Sequence, residues 1–262
     1  MQKTPLAELL VKSKEAKLRL LKMHFEAKVG HLGGNLSCLD ALMVLFHRHC
    51  DETGSVILSK GHSAGALYVT LWSRGILQDS QLSQFHRDGT KLAGHPAPGW
   101  REEIPFATGS LGHGLSLAAG MALGSRLRGE AKSLFCLTSD GEWQEGSTWE
   151  ALIFACHHRL SNLTILIDGN ELQGFGTTAE VASMKDLRRK LEPYDVEIRE
   201  VDGHDLIALD SLLEEKASRP RVLFMKTTKG NGVSFMEGKM EWHYIAMNEA
   251  QYQQALEEVS RA

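Results

Sequence analysis

Two short segments hold the residue types most able to do chemistry in this chain. Ser139-Asp140-Gly141-Glu142 and Asp168-Gly169-Asn170-Glu171-Leu172 each directly follow an apolar run, at residues 133–138 and 163–167. Read as strands joined by a helix over 145–160, those runs must lie parallel and deliver both segments to one edge of a sheet. Ligands of open parallel sheets collect beyond that carboxyl edge. Asp140 then offers a carboxylate, Asn170 an amide oxygen and Leu172 a backbone carbonyl to one point. Hard oxygen ligands with a single certain charge suit Mg²⁺ or Ca²⁺ that also binds phosphate oxygens. The helix beginning near Glu145 points its N-terminus into the same crevice and favours an anion there. Asp-Gly and Asp-Gly-Asn are also ordinary turn sequences. On spacing alone a plain turn therefore stands beside the metal reading.

Histidine is the second signal. Of twelve histidines, His31, His62, His95 and His243 each follow a Gly-rich or loop motif. Imidazole is suited to acid–base work near neutral pH. His47, His49, His157 and His158 read as surface or core residues, and His24, His86 and His204 carry no assignment. Trp143 and Trp149 read as packing. The glycines of 109–114 do not follow a clear strand in G-x-G-x-x-G order, which excludes a dinucleotide fingerprint.

The elements that must position these groups alternate along the chain. Helices are expected over 6–27, 37–49 (with Ser37 as its cap), 63–73, 115–128, 145–160, 205–216 and 248–262. Strands are expected over 56–58, 133–138, 163–167, 196–201 and 222–226. Residues 28–36 read as a loop, 86–112 as mostly irregular, and 229–244 as a Gly-rich loop. Strand, helix, strand at this spacing demands an α/β fold: a parallel sheet flanked by helices on both faces. No domain boundary interrupts residues 1–262, so a single domain is expected.

Composition narrows the classes. The 262 residues carry 29 Lys+Arg against 33 Asp+Glu, a net charge of −4, with 42% hydrophobic residues. That balance argues against a nucleic-acid binder, which needs a basic face. No apolar run approaches the roughly 20 residues of a membrane span. The N-terminal stretch is charged and amphipathic, without a signal-peptide core. Cys38, Cys50, Cys136 and Cys156 form no C-x-x-C pair and sit in apolar runs, as reduced cysteines of a cytoplasmic protein do.

Taken together, SDGEWQEGSTWEAL and LTILIDGNELQGFG resemble the thiamine diphosphate motif of the transketolase family. That motif opens with Gly-Asp-Gly and closes with an Asn about 30 positions on. Asp140 and Asn170 stand 30 positions apart, with Ser139 in place of the first glycine. Further segments occur in the family order. They are Gly30-His31-Leu32-Gly33-Gly34, Ser59-Lys60-Gly61-His62-Ser63, Gly94-His95-Pro96, 108–114, Lys229-Gly230-Asn231-Gly232 and Glu241-Trp242-His243. The resemblance spans residues 10–245. Leu32 stands where transketolases usually have proline, and His113 where many have glutamine.

The resemblance implies a thiamine diphosphate-binding fold of the diphosphate type. It implies that Asp140, Asn170 and the Leu172 carbonyl hold Mg²⁺ (or Ca²⁺). His62, Gly141, Glu142, Asn170 and His243 would contact the cofactor, and Gly109 and Leu111 would approach its aminopyrimidine. His31, His62, His95 and His243 would be the catalytic histidines around the reacting carbon and the hydroxyls of a sugar or sugar-phosphate substrate. Glu145 resembles the family's interface glutamate. The implied reaction moves a two-carbon ketol unit from a ketose to an aldose. A 2-oxo acid dehydrogenase subunit or a deoxyxylulose phosphate synthase half is the alternative, although neither is expected to combine His31, Gly94-His95-Pro96 and Trp242-His243. No residue matches the glutamate that activates the aminopyrimidine in this family. A C-terminal transketolase subunit is therefore expected as partner, in an α₂β₂ assembly, with residues 109–124 as part of the interface; a longer chain cut short is the other explanation.

Overall fold

The computed structural model describes residues 3–50, 54–130 and 132–261. Five strands form one parallel sheet: β1 (Gly54–Leu58), β2 (Ser133–Ser139), β3 (Leu163–Gly169), β6 (Glu197–Asp202) and β7 (Arg221–Lys226), in the order β1-β2-β3-β7-β6. Two further strands, β4 (Leu172–Gln173) and β5 (Gly176–Thr177), make a small antiparallel hairpin beyond the carboxyl end of β3. Seven long helices surround the sheet: α1 (Leu6–Ala27), α2 (Leu32–Val44), α3 (Ala64–Ser73), α4 (Gly114–Leu127), α5 (Gly146–His157), α6 (Leu206–Glu214) and α7 (Glu249–Arg261). None is long and apolar enough to cross a membrane.

The two faces of the sheet build two cores, because side chains alternate along a strand. Val56, Leu58, Phe135, Leu137, Leu166 and Leu223 share one core with residues of α1, α2, α3, α6 and α7. Ile57, Leu134, Cys136, Ile165, Ile167 and Val222 pack on the other side against α4 and α5. With both faces covered, the central strands read as near-continuous apolar runs. No disulfide forms among the described residues.

Two elements differ from the sequence reading. First, α2 begins at Leu32 rather than at Ser37. Its opening turn contains Gly33 and Gly34, which suggest a loop by propensity, but tight packing favours a glycine at position 33. A methyl on Gly33 would lie 3.1 Å from the Lys229 side chain and 3.2 Å from the Trp242 Cβ. Ser37 is a buried mid-helix residue whose hydroxyl donates to the Gly34 carbonyl and to Asp168. Second, a 3₁₀ turn, Gly141–Gln144, stands between β2 and α5, which begins at Gly146, within one residue of the expected start.

Two buried histidines outside the sheet edge make the fold acid-sensitive. His24 on α1 is 2% exposed and packs against Phe85 and Gly65. His47 is wedged between the Thr4 and Ser73 hydroxyls, at 2.9 and 2.7 Å. Burial pushes each imidazole down to about 4. Between about pH 6.5 and pH 4 the unfolded chain binds protons that the folded chain refuses, so stability falls as pH drops through that window. His24 alone would contribute about 3 kcal/mol across it. Urea unfolding is expected to show a lower unfolding free energy at pH 5 than at pH 7.5. His24→Leu should shrink the difference, and a free energy constant over that interval would contradict the assignment.

Candidate active site

Backbone hydrogen bonds stitch the two acidic segments together at the carboxyl edge. The Asp140 amide donates to the Asp168 carbonyl at 3.1 Å, and the Asp140 carboxylate accepts the Glu171 amide at 2.6 Å. Asp140 is 5% exposed, and its other oxygen accepts the Gly141 amide at 2.7 Å. Burial, reinforced by the Asp168 charge, pushes its carboxyl up to about 7. A buried carboxylate held only by backbone donors is a group that a cation would relieve. Asn170 and Leu172 share the adjoining cavity wall with Gly141. The Asn170 side-chain oxygen Oδ1 accepts the Leu172 amide at 3.1 Å, while its Nδ2 donates to the Ser37 hydroxyl at 3.3 Å. The described residues contain no group of three His, Cys, Asp or Glu able to hold a metal. One carboxylate with neutral oxygens fits a hard divalent ion that takes its remaining ligands from a polyanion.

The cavity beside this corner is about 260 Å³. Two buried ammonium groups face it, and the sequence reading gave neither a role. Lys60, at the end of β1, forms an ion pair with the fully buried Asp168 and donates to the Gly34 carbonyl at 3.0 Å. Burial opposes its charge, but Asp168 outweighs that and raises its pKa. Asp168 also accepts from Ser37 and Thr227 and is held below the usual carboxylate range by Lys60 despite its burial. Lys229 is 2% exposed, and the one hydrogen-bonding neighbour of its ammonium group among the described residues is His243 Nδ1 at 3.4 Å. Burial and the nearby Lys60 charge push it down to about 8. With Gly34 in the first turn of α2 on the same wall, two ammonium groups and a helix N-terminus converge on the cavity. That cradle fits a diphosphate.

Four imidazoles complete the wall. His31 lies 5.6 Å from His62, 6.0 Å from His95 and 5.0 Å from His243, and His62 lies 5.2 Å from His243, between ring centroids. His31 takes a left-handed conformation (φ 66°) at the start of α2. Its amide donates to the His243 carbonyl, and its carbonyl accepts from Asn35. The fully buried Asn35 also donates to the His62 carbonyl, so one side chain fastens both histidine loops. Burial lowers all four imidazoles: His31 to about 4, next to His95; His243 to about 3, next to Lys229; and His62 and His95 below their ordinary value. At neutral pH they are uncharged, and each ring has one N–H donor and one acceptor nitrogen. Gly109 (φ 144°) lies under the His95 ring, where a methyl would come within 2.7 Å of it.

A family model described as "Transketolase, thiamine diphosphate binding domain" matches residues 12–260. The chain belongs to the transketolase family. It is 35% identical over 265 residues to one subunit of the apulose-4-phosphate transketolase of Phocaeicola vulgatus, covering 95% of this chain and 93% of that one. It is 33% identical to 6-deoxy-6-sulfo-D-fructose transketolase subunit SqwG of Clostridium sp., covering 89% of each. Its fold matches transketolase from Campylobacter jejuni with a TM-score of 0.85 at 26% identity, over 97% of this chain and 43% of that one. The chain thus spans about two fifths of that solved transketolase, and it aligns with 33% of human transketolase at 34% identity.

Within this transketolase domain the structure brings His31, His62, His95, Gly109, Leu111, Gly141, Asn170, Leu172 and His243 to one cavity, with Asp140 buried directly behind it. Glu142 is a correction. Expected at the cofactor, it is fully buried and does not line the cavity. Its carboxylate accepts from the Ser59 hydroxyl, the Gly112 amide at 2.8 Å and the Ser139 amide at 3.4 Å. Burial raises its pKa against those donors. Glu142 therefore ties the loop carrying Gly109 and Leu111 to the ends of β1 and β2. Glu145 is exposed, with its Cβ packed close to Gly112.

Removing that tie is expected to be costly, because two buried donors and one half-buried donor lose one acceptor. Glu142→Ala should lower the unfolding free energy by about 2–4 kcal/mol. Glu142→Gln, which keeps an acceptor oxygen, should cost less. Urea melts of the three proteins decide it; equal stability of Glu142→Ala and wild type would contradict the role.

Proposed function

We propose that this chain is the diphosphate-binding subunit of a two-chain transketolase. The observation that carries this reading is the convergence of two buried ammonium groups and four uncharged imidazoles on one cavity, with one buried carboxylate directly behind its wall. Two similar proteins of nearly the same length are named as single subunits of transketolases, which supports a split enzyme.

Asp140, Asn170 and the Leu172 carbonyl would hold Mg²⁺ (or Ca²⁺). Lys60, Lys229, His62, His243 and the backbone at Gly141 would hold the diphosphate, and Gly109 and Leu111 would flank the aminopyrimidine. When bound, thiamine diphosphate supplies an electron sink that lets the bond beside a ketose carbonyl break. The histidines manage protons around that event. Uncharged at neutral pH, His31 and His95 would accept a proton from a sugar hydroxyl or return one through the ring N–H. Their low basicity keeps the protonated form short-lived. The substrates are sugars or sugar phosphates.

The residues 1–262 act as one domain in this reading, in the cytoplasm. A second chain supplies the pyrimidine-binding half, in an α₂β₂ assembly. The outer surface of α4 and α5 suits such a contact: Leu127, Ile153 and Phe154 are exposed there, and Gly120 and Gly146 leave open space. Exposed Glu145 lies at the start of α5 beside it.

The decisive assay is ketol transfer by the purified chain with thiamine diphosphate and Mg²⁺, alone and then with a candidate pyrimidine-binding partner. Turnover is expected only in the pair, and substantial turnover by the chain alone would contradict the split-enzyme reading. Within the pair, His95→Ala should lose at least about tenfold in turnover, with cofactor affinity little changed. Full turnover by that variant at saturating substrate would remove His95 from the proton-transfer role.

A further inference from the structure

Tyr244 follows His243 directly and lines the same cavity, yet neither the motifs nor the metal and diphosphate contacts use it. It is 55% exposed, whereas the cavity floor beneath it is buried. Two glycines are shaped around this one residue. A methyl on Gly30 would lie within 2.6 Å of the Tyr244 carbonyl carbon, so the Tyr244 backbone is clamped beside the His31 loop. A methyl on Gly174, in the turn between β4 and β5, would collide with the Tyr244 hydroxyl itself. The ring stands edge-on to His243, with centroids 4.8 Å apart. The phenol thus bridges the histidine wall and the hairpin that follows the Asn170 segment. Its hydroxyl makes no hydrogen bond among the described residues, although a phenol can both donate and accept. Phe175, 82% exposed, flanks it on the hairpin.

Resting on the function proposed above, we infer that Tyr244 is a specificity-determining residue for the sugar. Its hydroxyl hydrogen-bonds a hydroxyl of the substrate's carbon chain, and its ring limits the bulk that can pass between His243 and Gly174. Three features favour a sugar over the diphosphate as its partner. The phenol is more than half exposed, its hydroxyl can donate as well as accept, and the cations Lys60 and Lys229 that would hold a diphosphate are buried. A polyhydroxylated chain is also the ligand that a hydroxyl able to donate and accept reads best, because a mismatched sugar leaves it unpaired.

The experiment uses the assembled two-chain enzyme with thiamine diphosphate and Mg²⁺. Wild type, Tyr244→Phe and Tyr244→Ala are assayed with apulose 4-phosphate, 6-deoxy-6-sulfo-D-fructose and fructose 6-phosphate as alternative ketoses, and cofactor affinity is measured by calorimetry in parallel. Tyr244→Phe should lower kcat/KM for the preferred ketose by about tenfold, mainly through KM, as loss of one hydrogen bond does. Tyr244→Ala should shift the ratio of kcat/KM values between ketoses by about tenfold or more. Cofactor affinity should stay within about twofold in both. Unchanged ketose ratios and KM values in both variants would overturn the inference, as would a fall in cofactor affinity that parallels the fall in kcat/KM. A wild-type pair that binds cofactor yet transfers no ketol unit from any ketose would overturn the proposed function, and this inference with it.

Discussion

The Lys60–Asp168 ion pair is the contact on which the site's geometry depends. It joins the end of β1 to the end of β3 across the intervening strand, with both charges fully buried. Around Asp168 gather Ser37 from α2 and Thr227 from the end of β7. Four elements therefore converge on one carboxylate. A buried pair of this kind adds little net stability over an apolar replacement, but removing one partner leaves an uncompensated charge in the interior. Its consequence is positional. It sets the height of the His62 turn, the first turn of α2 and the Asn170 segment relative to one another.

The neighbouring charges are less well matched. Asp140 is pushed toward its protonated form by burial and by Asp168, while Lys229 is pushed toward its neutral form by burial and by Lys60. The protein therefore holds an acid and a base whose charged forms are both disfavoured by their surroundings. A divalent cation next to Asp140 and a polyanion next to Lys229 would reverse both penalties at once. Binding sites for charged groups are expected to hold such unpaired potential, and perturbed acids and bases gathered in one cleft mark functional positions.

Much of this was legible in the sequence, and the exceptions have physical causes. The central strands β2, β3 and β7 showed as apolar runs because both faces are covered, and the Asp140 and Asn170 segments followed from their position after β2 and β3. The start of α2 was not legible. Gly33 and Gly34 carry poor helix propensity, and the close approach of Lys229 and Trp242 that favours a glycine at position 33 comes from segments distant in the chain. The roles of Lys60, Asn35 and Asp168 rest on contacts between segments that are far apart in the chain. Spacing within a motif cannot report them, although Lys60 and Lys229 both stood inside recognisable segments. Glu142 was misplaced because a motif gives proximity to a site without giving the direction of the side chain. The β4–β5 hairpin was missed because two-residue strands leave no periodicity to read.

In the function proposed above, Asp140 is the anionic anchor of a metal-bridged diphosphate site. Titration calorimetry of thiamine diphosphate into the assembled enzyme, with and without Mg²⁺, tests it most directly when wild type is compared with Asp140→Ala. Wild type should bind the cofactor tightly only when Mg²⁺ is present. Asp140→Ala should lose at least about 100-fold in affinity, or about 2.7 kcal/mol, while remaining folded. Wild-type affinity in Asp140→Ala, or binding to wild type that is indifferent to Mg²⁺, would contradict the claim.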